Sequence, residues 1–317
     1  SEFILVSMKL SKRKAPVKRP KRNSIIKTRK KLDINTQRTC SCQSNHINCL
    51  TAKEWTKSQV AVWEFAYKKR DTRDKKIHPA VFPIDLPAKC ITMFSHEGEL
   101  VLDPFVGIGS TLVAAKDLHR NAVGFDLKLE YLNYAKTRLQ QETLDKKPTQ
   151  QILVKDEAHN IPKYLEEESL AMTVTSPPYS NILNRPRKNK SRRGDLRKNE
   201  QYDKVEQYSN DPLDLGTMEA KPYAKAIGEI YKGILPLLRP KGHAVINLTD
   251  LWWENKRIPI HLYTIEAMQD VGYELRNIII WDRRNLVNGV GIFGWPNNYI
   301  TFGTTFEYIL DFWRPPK

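Results

Sequence analysis

The stretch ELVLDPFVGIGSTLVAA, Glu99 to Ala115, constrains the fold more than any other. A short apolar run ends in Asp103, a turn carries Gly107 and Gly109, and an apolar helix start follows. Strand, glycine turn and helix in that order open a βαβ unit, whose crossover helix lets two strands run parallel. The pattern then repeats. Glu99 to Asp103 reads as a strand, Gly109 to His119 as a helix and Asn121 to Asp126 as a second strand. Lys128 to Leu144 reads as another helix, Gln151 to Asp156 as a third strand, and LAMTVT, ending at Thr175, as a fourth. Lys221 to Leu238 is helical in pattern, GHAVINLTD is the fifth strand, and a helix over 259–270 leads to GYELRNIIIWD, the sixth. FEYILDFW is the last strand. Strands alternating with helices predict an α/β, doubly wound, mostly parallel sheet covered on both faces.

Ahead of this unit, Thr51 and Glu54 have the spacing of a capping box, opening a helix expected to run to about Arg70. Trp55, Val62, Trp63 and Tyr67 recur along it at helical spacing and are expected to pack into the core. HPAVFPIDLPAKCITMF reads as a proline-punctuated loop that leads into a short helix.

Charge is unevenly spread. The net charge is +16, of which residues 1–38 carry +11 and Arg185 to Lys198 carry +7, so the remainder is near neutral. A near-neutral body with two basic appendages suits a polyanionic partner, and residues 1–38 are expected to be a disordered basic arm. KRKAPVKRPKR within it reads as a nuclear address or a DNA-binding arm. Met8 is the expected natural start, behind a cloning scar at Ser1-Glu2-Phe3. No apolar stretch approaches the roughly 20 residues that span a bilayer, so a membrane role is not expected. Residues 39–77 are expected as a helical extension and 78–317 as the main domain. The forty or so polar residues after Tyr179, about 180–220, form a basic insertion too long for an ordinary connection.

Four cysteines in 317 residues give no disulfide framework and suit a reducing compartment. Cys40, Cys42 and Cys49 enclose His46 in the spacing C-x-C-x3-H-x2-C, which matches no common structural zinc site. These cysteines are expected to be free thiols at the arm–domain junction, and no metal is expected. Cys90, in the segment before the first strand, is expected to be buried.

Open α/β sheets bind ligands at the carboxyl ends of their strands, where the glycine turn lies. Gly107 and Gly109 are expected to let the backbone approach such a ligand. Leu112 stands where a dinucleotide fingerprint has its third glycine, which argues against a pyrophosphate. Asp126 ends the next strand nineteen residues after Gly107, a spacing that suits a carboxylate holding ribose hydroxyls. Asp156 closes the third strand and is expected to accept from an adenine amino group. A nucleoside cofactor without a pyrophosphate fits this set.

After LAMTVT comes SPPY, Ser176 to Tyr179. Pro177 and Pro178 fix φ near −65° and leave rigid, outward carbonyls. With the Ser176 hydroxyl and the flat face of Tyr179, the turn suits an exocyclic amino group on a planar base. Such a nitrogen is a poor nucleophile until acceptors draw its hydrogens out of the ring plane and free its lone pair. Ser176 Oγ and the Pro177 carbonyl are expected to do this, with Tyr179 stacking on a base flipped from the helix.

Together DPFVGIGST, GFDL, VKDEA and TSPPY resemble the S-adenosylmethionine-dependent DNA amino-methyltransferases, over roughly residues 78–317. The resemblance implies a seven-stranded Rossmann-like methyltransferase sheet with an antiparallel final strand. It implies S-adenosylmethionine as cofactor, S-adenosylhomocysteine as product and double-stranded DNA as partner. His78, Pro79 and Phe82, in HPAVFP, would help hold the methionine part. Asp103, Pro104, Phe105, Gly107, Gly109, Ser110 and Thr111 would border the cofactor, Asp126 and Leu127 its ribose, and Asp156 its adenine. Ser176, Pro177, Pro178 and Tyr179 would form the catalytic turn. A serine-first turn goes mostly with N4 of cytosine in this family, and Asp- or Asn-first turns with N6 of adenine. Methylation at cytosine C5 needs a cysteine nucleophile, and no cysteine here follows a proline in such a turn.

The cofactor motif precedes the catalytic one, and no separate recognition domain is expected after the last strand. Target reading is therefore expected of the insertion, of the N-terminal region, or of a piece outside this sequence. Arg185, Arg187, Lys188, Lys190, Arg192, Arg193, Arg197 and Lys198 would grip phosphates or read guanine. The setting implied is intracellular and DNA-associated, in restriction–modification or epigenetic marking. Three further readings stay open: an N6-adenine enzyme, an RNA or protein-glutamine methyltransferase, and a catalytically silent nucleic-acid-binding protein.

Overall fold

The computed structural model describes residues 25–43, 45–71, 81–140, 148–180, 214–253, 256–286, 294–295, 299–300 and 302–316. The glycine-turn unit forms as the sequence pattern predicts. Strand β2 (Leu100–Asp103) leads to helix α3 (Ser110–Asp117), β3 (Asn121–Asp126), α4 (Leu129–Leu139), β4 (Gln151–Lys155) and β5 (Leu170–Thr175). Helix α5 (Ala220–Ile234), β6 (Leu238–Leu248), α6 (Ile260–Asp270), β9 (Glu274–Asp282) and β12 (Phe306–Trp313) complete the rhythm. Two antiparallel ribbons stand apart from it: β7 (Leu251–Trp253) with β8 (Lys256–Ile258), and β10 (Gly294–Trp295) with β11 (Tyr299–Ile300).

The main sheet has eight strands, one more than the sequence predicts, in the order β1-β9-β12-β6-β5-β2-β3-β4. Only β12 runs against its neighbours. The added strand is β1 (Val62–Glu64), parallel to β9 at the sheet edge. It comes from residues expected to be helical. The capping box at Thr51 and Glu54 is made, but helix α1 (Ala52–Ser58) stops after seven residues. From there burial alternates with period two: Val62 and Glu64 are exposed while Trp63 and Phe65 are buried. Trp63 reaches the core from a strand, and its indole N–H donates to the Val60 carbonyl at 2.7 Å.

Successive side chains on β2 enter opposite layers, as expected of a central strand buried on both faces. Leu100 and Leu102 join the cluster under α5 and α6, whereas Val101 packs with α2 (Asp85–Phe94), α3 and Trp63. Cys90 is fully buried in that second layer.

Residues 25–38 belong to the stretch expected to be a disordered arm, yet they lie along the sheet. Ile26 bridges to Val154 on the free side of β4, donating to the Leu153 carbonyl at 3.2 Å and accepting from Lys155 N–H at 2.9 Å. Leu32 and Ile34 pack against the core. Covering an edge strand in this way satisfies backbone groups that would otherwise recruit another chain.

Candidate active site

The strand order reverses beside β2, where β3 pairs on one side and β5 on the other. The carboxyl ends of β2, β3, β4 and β5 therefore open on a common crevice. A cleft of about 980 Å³, solvent at its mouth included, occupies this position. Pro104, Phe105, Gly107 and Ser110 line it from the glycine turn, Asp126 and Leu127 from the end of β3, Asp156 from the end of β4, and Ser176, Pro177 and Pro178 from the SPPY turn. Phe82 lines it too. The two halves of the sequence motif, 73 residues apart from Asp103 to Ser176, thus meet in one space.

Asp103, Gly109, Thr111 and Tyr179 do not line the cleft; they build it from behind. Asp103 is buried, accepting from Thr111 Oγ1 at 2.5 Å, Thr175 Oγ1 at 2.6 Å and Phe105 N–H at 3.0 Å. It ties the end of β2 to α3 and β5. Burial pushes its carboxyl up to about 6 against these hydrogen bonds. Gly109 has φ +84°, and a Cβ there would meet Ala135 Cβ at 2.9 Å, so its glycine serves the packing of α3 on α4 rather than ligand approach. Gly107, with φ +48°, lines the cleft itself.

Asp126 accepts from Gly107 N–H at 3.0 Å on one carboxylate oxygen and from Lys128 N–H at 2.8 Å on the other. Each oxygen keeps a further lone pair for a ligand hydroxyl. Burial pushes its pKa up to about 7, against the pull of the two N–H groups.

Asp156 differs from expectation. Its carboxylate already accepts from Arg29 Nε at 2.8 Å, Arg29 Nη2 at 3.1 Å, Asn160 Nδ2 at 3.0 Å, Tyr164 Oη at 2.9 Å and Glu157 N–H at 2.9 Å. A carboxylate has about four lone-pair sites, so no acceptor remains for an adenine amino group while Arg29 is in place. Burial would raise its pKa, but Arg29, Asn160 and Tyr164 hold it well below the usual carboxylate range. The Arg29 contact spans 127 residues, and no spacing rule could have found it.

At the SPPY turn a chain of hydrogen bonds runs behind Ser176. Ser176 Oγ donates to Tyr179 Oη at 3.3 Å, and Tyr179 Oη donates to Glu307 Oε2 at 2.7 Å. Asn247 Nδ2 donates to Glu307 Oε2 at 2.7 Å, to Tyr179 Oη at 3.2 Å and to Ser176 Oγ at 3.4 Å. Arg283 pairs with Glu307 Oε1 from the far side. Burial and the Glu307 carboxylate push the Tyr179 phenol well above its ordinary pKa, so it keeps its proton. An ionised Glu307 only accepts, which fixes the direction of the whole chain. The Ser176 proton is spent on Tyr179, and the Ser176 oxygen is left as an acceptor. Asn247 on β6 and Glu307 on β12 were not singled out in the sequence. Both are buried polar residues, but β6 also buries His243 and β12 also buries Asp311, so burial within the strand gave no local sign that set them apart.

The cleft has further lining that sequence reasoning did not select: Val81, Val106, Ile108, Lys128, Tyr131, Glu157, Ala158, His159, Asp214, Leu215 and Ile230. His78, Pro79 and all eight basic residues from Arg185 to Lys198 lie outside the described residues.

Residues 1–137 match the N6_N4_Mtase family model, described as DNA methylase. The match takes in the glycine turn and Asp126 and ends before SPPY. Similar relatives include the type II methyltransferase M.HpaI of Haemophilus parainfluenzae, 41% identical over 81 residues, or 26% of this chain and 26% of that protein. M2.DpnII of Streptococcus pneumoniae is 38% identical over 27% of this chain and 32% of its own length. M.SmaI of Serratia marcescens is 44% identical over 20% and 21%. The matched part of the chain thus spans about a fifth to a third of the length of these relatives. Among solved structures, TrmN from Thermus thermophilus aligns with TM-score 0.41 at 14% identity, over 69% of this chain and 44% of its own. An rRNA methylase from Streptococcus thermophilus aligns with TM-score 0.42 at 14% identity, over 74% and 98%.

Proposed function

We propose, with the N6/N4 DNA methylase family match of residues 1–137 as premise, that the chain is an S-adenosylmethionine-dependent DNA methyltransferase acting on the exocyclic N4 amino group of a flipped cytosine. One observation carries the reading: the Ser176–Tyr179–Glu307 chain turns the Ser176 oxygen into a fixed acceptor at the rim of a nucleoside-sized cleft. An amino group conjugated with a ring needs an acceptor, not a donor, to become nucleophilic.

The cleft residues fit the cofactor. Asp126 keeps an acceptor on each oxygen for the two ribose hydroxyls, Gly107 gives close backbone approach, and Phe105 and Leu127 supply apolar walls. S-adenosylmethionine supplies an electrophilic methyl carbon. This chain's own residues do the rest. Ser176 and the Pro177 carbonyl draw the amino hydrogens aside, Pro177 and Pro178 hold those acceptors in place, and Asn247 and Glu307 hold Ser176 and Tyr179. The Tyr179 hydroxyl is anchored from behind, and its half-buried ring, outside the lining of the cofactor cleft, is proposed as the surface on which the base stacks. Asp156 acts through Arg29, shaping the rim rather than accepting from the adenine ring. The basic residues from Arg185 to Lys198 are proposed to grip the DNA backbone. Cytosine is favoured because the turn begins with serine.

The test is incubation with S-adenosylmethionine and mixed-sequence DNA, followed by nucleoside mass spectrometry, with Ser176→Ala alongside. N4-methylcytosine that disappears in Ser176→Ala is the expected result. N6-methyladenine would overturn the base assignment and keep the site. No methylated base despite cofactor binding would overturn the activity.

A further inference from the structure

A second cluster lies at the opposite end of the sheet, where the chain enters β2. Cys40, Cys42 and Cys49 converge there on His96, the four ligand atoms all within 4.8 Å of one another. The thiols are free, and His96 is fully buried. His96 Nε2 faces the His46 carbonyl at 2.8 Å. A carbonyl only accepts, so Nε2 carries the proton and Nδ1 is left with a bare lone pair. That lone pair points among the sulfurs, 3.3 Å from Cys40 Sγ and 3.5 Å from Cys49 Sγ.

We propose that Cys40, Cys42, Cys49 and His96 form a structural zinc site that fastens the N-terminal segment to the catalytic sheet. A tetrahedral zinc with bonds of about 2.3 Å to sulfur and 2.0 Å to nitrogen sets S···N at roughly 3.5 Å and S···S at roughly 3.8 Å. The two S···N distances match this, and Cys3His is a set that closed structural sites use. The backbone carbonyl on the second imidazole nitrogen is the outer-shell contact that orients a histidine ligand.

The surroundings suit the charge. Three thiolates, a neutral imidazole and Zn²⁺ sum to −1. The buried Arg120 guanidinium, held by Ser95 and the Leu118 carbonyl, is close enough to Cys40 and Cys49 to feel their charge. Cys90 takes no part, and burial pushes its thiol far up.

The proposal departs from the expectation of free thiols at the arm–domain junction with no metal. The segment is docked: Thr39 N–H donates to the Glu97 carbonyl at 2.9 Å, Asn48 Nδ2 to the Met93 carbonyl at 2.7 Å, and Arg38 Nε to Glu99 at 3.1 Å. The fourth ligand is His96, not His46, which gives its main-chain oxygen instead. The site lies on the arm that carries Arg29 to Asp156, so the metal would fix one end of that arm.

The full chain is purified without chelator and its zinc measured by mass spectrometry, then reconstituted with Co²⁺. About one zinc per chain is expected. Co²⁺ should give an intense thiolate charge-transfer band, weakened by Cys42→Ser. His96→Ala should lose the metal, and His46→Ala should keep it, because only a backbone carbonyl is used there. Should His96→Ala fail to fold, the wild-type cobalt spectrum and His46→Ala still decide. A chain with no zinc and no charge-transfer band overturns the proposal. So does metal retained undiminished by both Cys42→Ser and His96→Ala, or a mass two hydrogens short from a disulfide among the three cysteines.

Discussion

Replacing Glu307 with glutamine tests the acceptor chain at the group that sets its direction. Glu307 is 4% exposed and receives hydrogen bonds from Tyr179 and Asn247 and an ion pair from Arg283. Glutamine keeps the shape but can offer an N–H to Tyr179, which lets the phenol turn its proton toward Ser176. Ser176 would then spend part of its time donating into the cleft instead of accepting. The two arrangements differ by about the worth of a hydrogen bond to a charged group, 1.5–3 kcal/mol. Felt at the transition state alone, that slows methyl transfer roughly 10- to 150-fold. Cofactor affinity should move by less than about twofold, since Glu307 does not line the cleft. Single-turnover transfer to DNA, with calorimetric titration of S-adenosylmethionine, separates the two quantities. Tyr179→Phe belongs in the same experiment because it breaks the chain one link earlier. The double variant should be no slower than the worse single one, as expected for residues acting as one unit. Rates that multiply, or a folded Glu307→Gln with an unchanged rate, would refute the directional chain.

In the proposed role Asp126 would hold ribose hydroxyls best when ionised, and burial pushes its pKa up to about 7. Cofactor affinity should be greatest above that pH and weaken below it by up to about tenfold per unit, with Asp126→Asn flattening the profile in the same titration. Arg29→Ala should lower the melting temperature near neutral pH. Asp156 is held below its ordinary 3.8, so its pairing stabilises the fold above that value and the stabilisation is lost as pH falls. Wild type and variant should therefore converge in acid melting curves. Gly109→Ala should cost on the order of 1–3 kcal/mol in denaturant unfolding, from its left-handed φ and the clash with Ala135. Adding Ala135→Gly should restore only the steric part. Trp63→Ala should cost about 3–5 kcal/mol, because the indole is 2% exposed and anchors the added strand.

What was legible in the sequence was whatever a local pattern encodes. Strands β3, β5 and β12 run over the residues that alternation and apolar runs predict, since a buried strand declares itself in six or eight consecutive residues. The turns that line the cleft declare themselves through Gly107, Pro177 and Pro178, because few other residues take those backbone shapes. Trp55, Val62, Trp63 and Tyr67 misled because four aromatic and branched residues can satisfy a helical and an alternating period at once. Only the parallel partner, β9, decides for the strand, and it lies more than 200 residues away. The same limit hid every polar device that joins distant segments. Arg29 meets Asp156, Asn247 and Glu307 meet Tyr179, and His96 meets Cys40 across 56 residues while His46 stands nearer in sequence. Two of these three devices start in residues 25–50. That segment covers the edge of β4 with Ile26, saturates Asp156 with Arg29 and gathers three thiols around His96. Its contacts with itself are short turns such as Gln37 N–H to Asn35 Oδ1, whereas its long-range contacts are with the sheet, so its order depends on the sheet. Deleting residues up to Leu50 should therefore lower the stability of the cofactor cleft itself, whereas an independent DNA-binding tail would come off and leave the cleft unchanged.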